Sequence, residues 1–216
     1  LTPLTIIRQK ADALLSDRSL SEESIARVAQ IQETVSRLSR LSNALLMISR
    51  IENRQYHLDD QVSVGEALEV VLEELQIYTE SKAQQIRKTI EYDAIINGNR
   101  DLIQALLFNI IQNAIKFSPG ESEISIALKA EAGNAILKIK DNGPGISEEQ
   151  REQLFRRFYK GSNGHSESPG LGLSIVDSIC EMHGFKYNIK SGAEGGTTFT
   201  ITMDKVKQLR EIPVKA

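Results

Sequence analysis

Apolar residues recur every three or four positions through the first quarter of the chain, which predicts two helices joined by a turn. A polar cluster, Ser16–Ser21, separates the helices and supplies helix-start residues. The apolar positions of the longer helix are Ile25, Val28, Ile31, Val35, Leu38, Leu41, Leu45, Ile48 and Ile51. Such a seam is typical of coiled coils, so we expect two chains to pair their hairpins as a four-helix bundle. The alternative is a hairpin packed on its own downstream domain.

A different pattern begins after a polar stretch at 55–62, which predicts a linker between a hairpin at 1–54 and a domain at 63–216. Ser63 and Glu66 have the spacing of a capping box that opens an amphipathic helix. Further strands are predicted at 86–92, 94–97, 123–130, 135–141, 186–190 and 197–203, and further helices at 100–117, 147–159 and 171–183. The predicted fold class is α+β, a helical hairpin followed by a mixed sheet backed by helices.

Composition and charge exclude several classes of function. The 216 residues carry 26 basic and 29 acidic side chains, for a net charge of −3, so we expect no nucleic-acid partner. One cysteine permits neither an internal disulfide nor a zinc site built from cysteines. The most apolar run, Leu102–Ile111, is too short to cross a bilayer, so we expect these residues to make no membrane contact. The sequence has no signal peptide. Because its first residue is Leu rather than Met, we expect a fragment of a longer protein.

The helix predicted at 100–117 carries a polar stripe beside a wide apolar arc. Asn109, Asn113 and Lys116 follow the spacing i, i+4 and i+7 and therefore share one side of the helix. Asparagines stacked beside apolar neighbours need partners, and amide oxygens suit a magnesium ion that keeps water and phosphate ligands. We interpret the stripe as a Mg²⁺ and phosphate site, with an ordinary polar helix edge as the alternative.

A carboxylate ends the apolar face of the strand predicted at 135–141. This carboxylate, Asp141, is followed by the sequence Asn-Gly-Pro-Gly. A half-buried carboxylate needs donors, and the exocyclic amine of adenine would supply one. Gly143 and Gly145 would let a flat base approach the backbone. The alternative is an ordinary turn.

Glycines also open the helix predicted at 171–183. Gly170 and Gly172 would expose helix N-terminal N–H groups that suit phosphate, and the polar segment 162–169 before them predicts a lid. Thr198 lies on the face of its strand opposite the apolar residues, where a ligand could reach it. Each of these signals is weak alone, because glycines at helix starts and hairpins are common.

Taken together and in this order, the motifs resemble the nucleotide-binding boxes of sensor histidine kinases, the kinases of two-component systems. The matching segments are Asn109–Phe117 (N box), Asp141–Ile146 (G1 box), Leu154–Gly161 (F box) and Gly170–Val176 (G2 box). The resemblance covers about 63–203. It implies a sandwich of helices and sheet of the Bergerat type that binds ATP and Mg²⁺.

The resemblance also implies residue roles. Asp141 would bind the adenine amino group, and Asn113, helped by Asn109, would bind Mg²⁺. Asn109 and Lys116 are the expected catalytic residues. The implied ATP contacts are Asn109, Asn113, Lys116, Phe117, Asp141, Gly143, Gly145, Ile146, Arg157, Phe158, Lys160, Gly170, Leu171, Gly172, Leu173 and Thr198. Related ATPases carry a glutamate base where Asn109 lies, and since Asn cannot act as that base, phosphotransfer is favoured over hydrolysis.

The first five residues resemble the end of an H box. In that register the phosphoacceptor histidine lies three residues before Leu1, outside this chain. Thr2 matches the position linked to dephosphorylation of the partner regulator, with an alternative role in capping the helix. The implied partners are a second copy of the chain and a response-regulator receiver domain. We expect a cytoplasmic location, with the parent protein anchored in a membrane.

Three rival functions stay open at this point. One is an ATPase of the same superfamily, against which Asn109 argues. A second is a non-catalytic scaffold that responds to ATP. A third is a serine kinase that acts on an anti-anti-sigma-like protein, which would lack a helical hairpin ending in an H box. Direct measurement of phosphoryl transfer separates them from a histidine kinase.

Overall fold

The computed structural model describes residues 3–16, 20–159, 170–192, 195–204, 206 and 208–211. The helices are α1 (Pro3–Leu15), α2 (Glu22–Glu52), α3 (Val64–Ser81), α4 (Arg100–Phe117), α5 (Glu148–Arg151) and α6 (Gly172–His183). The strands are β1 (Asp60–Ser63), β2 (Gln85–Ile90), β3 (Tyr92–Gly98), β4 (Glu123–Glu131), β5 (Asn134–Lys140), β6 (Lys186–Ser191), β7 (Thr197–Met203) and β8 (Gln208–Glu211). Within these residues, no helix is both long and apolar enough to span a bilayer.

The first two helices form the predicted hairpin, and only part of the apolar seam of α2 is buried in it. Val28 and Val35 are buried. By contrast, Ile31, Leu38 and Leu45, which are spaced by seven residues, are 49%, 46% and 38% exposed. The chain therefore leaves one heptad stripe of α2 uncovered.

The last turn of α2 packs on the rest of the chain. Ile48 and Ile51 are 1% and 5% exposed and belong to the main hydrophobic core. Helix α2 also contacts α6. The last turn of α2 therefore packs on the downstream domain of its own chain, which is the alternative to pairing with a second chain.

The main sheet has the strand order β2-β4-β5-β7-β6, with β2 and β4 parallel and the other neighbours antiparallel. Helices α3, α4 and α6 pack side by side and contact the sheet, which confirms the expected helix-backed mixed sheet. Alternating burial explains the strands, because every second residue of β4, β5 and β7 enters an aliphatic core.

Three local features differ from the predictions. The helix predicted at 147–159 was wrong beyond its first turn, since α5 ends at Arg151 and the backbone reaches the left-handed region at Phe158, with φ 66°. The predicted linker 55–62 ends in strand β1. With β3 and β8, β1 forms a second, three-stranded sheet that the sequence pattern did not indicate. The two strands predicted at 86–92 and 94–97 accordingly lie in different sheets.

Candidate functional site

Asp141 lies just beyond the end of β5 and joins two loops. Its Oδ1 accepts hydrogen bonds from the backbone N–H groups of Gly143 and Thr197, each at 2.9 Å. Its own N–H donates to the Thr197 carbonyl, also at 2.9 Å. Burial raises the pKa of this carboxyl above its ordinary 3.8, although the hydrogen bonds act in the opposite direction. The half-buried carboxylate therefore holds the turn after β5 against the start of β7.

Glycines allow three chain segments to approach closely around this carboxylate. A Cβ on Gly143 would lie 3.0 Å from the Phe117 carbonyl oxygen and 3.1 Å from Oδ1 of Asp141. A Cβ on Gly196, where φ is 78°, would lie 2.6 Å from the Asp141 carbonyl oxygen. The N–H of Gly196 donates to the Gly143 carbonyl at 2.7 Å. Side chains at these glycines would separate the end of α4, the turn after β5 and the β6–β7 loop.

Two serines that sequence reasoning missed also bind this turn. Ser118 Oγ accepts a hydrogen bond from the Asn142 N–H at 3.2 Å, and Ser191 Oγ accepts one from the Ile146 N–H at 2.8 Å. Both serines lie at the end of an element, since Ser118 directly follows α4 and Ser191 is the last residue of β6. Nothing in the local pattern distinguishes them from ordinary loop serines, so the only available signal was their position beside the predicted boxes.

The structure brings Asn109 of α4 to the start of α6. Asn109 Nδ2 donates to the Ala105 carbonyl at 2.7 Å, which leaves Oδ1 on the side of Gly172. A Cβ on Gly172 would lie only 2.8 Å from that oxygen. Asn113, one turn further along α4, is half-buried, and its amide makes no hydrogen bond within the described part of the chain. Asn109 thus lies beside the N-terminus of α6, and Asn113 continues the predicted stripe one turn further along α4.

The donor set on this stripe fits magnesium better than a metal held by protein ligands alone. In the described ranges, no group of three His, Cys, Asp or Glu side chains could hold a metal ion. Amide oxygens of Asn109 and Asn113 are hard oxygen donors, and Mg²⁺ commonly takes one or two protein oxygens and completes its shell with water and phosphate. The ion would reduce the charge of a bound triphosphate.

The end of α4 presents a cation and an aromatic ring. The Lys116 ammonium lies 4.9 Å from the centroid of the Phe117 ring. Phe117 is 49% exposed, although it borders the turn that contains Gly143. An exposed ring beside that turn is available to stack on a flat ligand.

A backbone hydrogen bond joins two described residues on either side of the predicted lid. The N–H of Phe158 donates to the Gly170 carbonyl at 2.9 Å. Gly170 has φ 75°, and a Cβ there would lie 2.6 Å from the Tyr159 carbonyl oxygen, so only glycine fits. Phe158 is exposed. The predicted lid at 162–169, Lys160 and Thr2 lie outside the described residues.

The F-box segment is anchored by aromatic packing. Phe155 and Tyr187 have ring centroids 4.8 Å apart, and Tyr187 in turn stacks on Phe199 at 5.8 Å. The Tyr187 hydroxyl donates to Asp177 of α6 at 2.7 Å. Together these contacts fix the described chain around Phe155 to both the sheet and α6.

Arg157, a predicted phosphate contact, forms an ion pair with Glu52 at the end of α2. Both side chains are partly exposed, so the pair contributes little stability. It nevertheless directs the guanidinium toward the helical hairpin. Arg157 would have to leave Glu52 to reach a nucleotide.

Five other predicted contacts surround this region. Leu171 is 2% exposed, so its side chain belongs to the core and only its main chain could meet a ligand. Leu173 and Ile146 are partly buried against the core. Gly145 has φ 78°, and Thr198 is half-buried in β7. The ligand roles of these residues stay predictions.

Comparisons with known proteins agree with this arrangement. A family model described as histidine kinase-, DNA gyrase B- and HSP90-like ATPase matches residues 98–207. The heme sensor protein HssS of Staphylococcus saprophyticus is 34% identical over 206 residues, which is 95% of this chain and 44% of that protein. The heme sensor protein HssS of Staphylococcus aureus strain Newman is 35% identical over 205 residues, again 44% of its length. The chain thus spans less than half the length of these relatives.

Solved structures share the fold. Full-length ShkA in complex with AMPPNP has a TM-score of 0.78 at 20% identity, covering 97% of this chain and 44% of that one. The Acinetobacter baumannii histidine kinase AdeS has a TM-score of 0.69 at 24% identity, covering 94% and 96%. The mycobacterial sensor histidine kinase MprB has a TM-score of 0.62 at 25% identity, covering 71% and 100%.

Proposed function

As the chain belongs to the family of histidine kinase-, DNA gyrase B- and HSP90-like ATPases and is a sensor histidine kinase catalytic core, we propose that it binds Mg-ATP and transfers the γ-phosphoryl group to a histidine. That histidine would lie upstream of Leu1 on the same helical hairpin. The phosphoryl group would then pass to an aspartate of a response-regulator receiver domain.

The observation that carries this proposal is the assembly of three distant sequence boxes at one place. Asn109 of the N box faces Gly172 of the G2 box. Asp141 of the G1 box accepts hydrogen bonds beside Gly143, which contacts the end of the N box at Phe117. In the proposed site Asp141 accepts a hydrogen bond from the adenine amine, and Phe117 stacks on the base. Asn109 and Asn113 hold Mg²⁺ near the phosphates.

The proposed chemistry is phosphoryl transfer with little covalent participation by the protein. An imidazole nitrogen forms a bond to the γ-phosphorus while the bond from that phosphorus to the β–γ bridging oxygen breaks, and ADP leaves. The protein contributes orientation and charge neutralisation, with Lys116 near the phosphates. Asn109 cannot take a proton from water, which favours the histidine as acceptor over hydrolysis.

We also propose that two chains pair through the hairpin. The heptad stripe Ile31, Leu38 and Leu45 is exposed in one chain, and a second copy would bury it in a four-helix bundle. The receiver domain would dock on the hairpin near α1, and Thr2 would support dephosphorylation of the regulator. The proposed location is the cytoplasmic side of a membrane that anchors the parent protein.

The test uses the parent protein, including the segment upstream of Leu1, with γ-labelled ATP and Mg²⁺. The expected product is labelled protein whose label survives alkali and is lost in acid, as a phosphohistidine requires. A sample with excess chelator is the control and should stay unlabelled. Free labelled phosphate without labelled protein would instead indicate an ATPase, and tight ATP binding without turnover would indicate a scaffold.

A further inference from the structure

Lys82 directly follows α3, outside all four boxes, and binds the segment that ends α4. Its Nζ donates to the main-chain carbonyls of Ile115 at 2.9 Å, Lys116 at 2.8 Å and Ser118 at 3.2 Å. An ammonium group has three N–H donors, so all three can be used on this one segment. Lys82 therefore acts as a cation at the C-terminal end of α4, where carbonyls lack helical partners.

Gln84, two residues after Lys82, binds the same segment at the end of α4. It is 7% exposed, and its Nε2 lies 3.1, 3.1 and 2.9 Å from the carbonyl oxygens of Ile115, Ser118 and Pro119. Because the amide has two N–H groups, one of them is shared between two of these carbonyls. The main chain adds a further link, since the Glu121 N–H donates to the Lys82 carbonyl at 2.9 Å. The end of α4 is thus held by side chains from a neighbouring loop rather than by its own cap alone.

The segment held in this way borders the nucleotide site. Ser118 Oγ accepts the Asn142 N–H, and a Cβ on Gly143 would lie 3.0 Å from the Phe117 carbonyl oxygen. A displacement of the carbonyls that Lys82 binds would therefore also move the Phe117 ring and the turn that carries Asp141.

We propose that Lys82 is a positioning residue of the adenine end of the nucleotide site, acting through Ser118 and the turn after β5. This inference rests on the proposed function, because it assumes that nucleotide binds beside Asp141. It assigns Lys82 no contact with the nucleotide. Its effect is to hold the end of α4 in the position that the base requires.

The experiment compares Lys82→Met with a matched lysine variant, Lys88→Met. Lys88 lies on β2, and its ammonium pairs with Glu69 at 2.6 Å, with both side chains partly exposed. Dissociation constants for Mg-AMPPNP and Mg-ADP are measured by calorimetry on protein shown to be folded by circular dichroism. Lys82→Met should weaken the binding of both nucleotides by the same factor. We expect about tenfold, which corresponds to the loss of one hydrogen bond between the displaced turn and the base. Lys88→Met should stay within about twofold.

A second variant tests the route through Ser118 and also applies if Lys82→Met fails to fold. Ser118→Ala removes the acceptor for the Asn142 N–H and should also weaken the binding of both nucleotides. The double variant should lose less affinity than the sum of the single effects, because both changes release the same turn. Unchanged affinity in Ser118→Ala, or additive losses, would overturn the inference.

The two proposals fail in different ways. If the wild-type chain binds neither nucleotide, the proposed function is wrong. If the wild type binds and a folded Lys82→Met binds equally well, Lys82 has no positioning role and the proposed function stands. A loss confined to AMPPNP, with ADP binding unchanged, would also contradict an action at the adenine end.

Discussion

Replacing Asp141 by Asn, and separately by Ala, distinguishes binding of the base from support of the turn. In the folded chain Oδ1 accepts the N–H groups of Gly143 and Thr197 at 2.9 Å. The amide oxygen of Asp141→Asn can still accept both hydrogen bonds. Its amino group, however, presents a donor in place of a carboxylate oxygen, and the adenine amine is also a donor. Asp141→Ala removes both acceptors.

The expected cost to folding is small for Asp141→Asn. A hydrogen bond to a charged group contributes about 1.5–3 kcal/mol and a neutral one about 0.5–1.5 kcal/mol, so weakening two costs about 2 kcal/mol. Because burial raises the pKa of Asp141, loss of the charge also removes a desolvation cost. The net loss in the free energy of unfolding should therefore be about 1 kcal/mol, and Asp141→Ala should lose more.

The expected cost to nucleotide binding is larger. A lost hydrogen bond to a charged acceptor, together with two donors facing each other, costs about 3 kcal/mol, or roughly 100-fold in the dissociation constant. Calorimetry with Mg-AMPPNP measures this constant, and thermal unfolding measures stability on the same samples. If Asp141→Asn binds within about threefold of wild type while Asp141→Ala binds weakly, Asp141 only supports the turn. If both variants bind normally, the reasoning about this site is refuted.

Gly172→Ala should lower nucleotide affinity with little change in secondary structure, because its Cβ would lie 2.8 Å from Asn109 Oδ1 and must displace that amide. Equal affinity for Mg-AMPPNP in calorimetry would contradict this. Stability should also fall as pH drops below 6.5, the ordinary pKa of histidine, because burial lowers the pKa of His183 and the unfolded chain binds the proton more readily. Protonation would also remove Nε2 as acceptor for the Asn99 N–H. Between pH 7.5 and 5, the unfolding temperature should fall less in His183→Gln than in the wild type. Equal declines would show that His183 is not the source of the pH dependence.

The local pattern of apolar and polar residues was sufficient to predict most helices and strands. Periodic apolar positions predicted the hairpin, α4, α6 and most strands of the main sheet, because each of these elements buries one face. The same pattern failed at 152–159, where the chain is held by packing of Phe155 on Tyr187 rather than by helical hydrogen bonds. It also failed at β1 and β8, which are four residues long and are strands only through their pairing with β3.

Residue type and spacing were sufficient to predict the chemical groups of the candidate site and their order along the chain. Which of these groups meet depends on how the helices pack on the sheet. Asn109 faces Gly172, and Lys82 binds carbonyls more than thirty residues away, at Ile115 and Lys116. The physical reason is that a carbonyl at a helix end must find a donor, and many lysines or serines could supply it. Only the packing of the helices on the sheet selects the one that does.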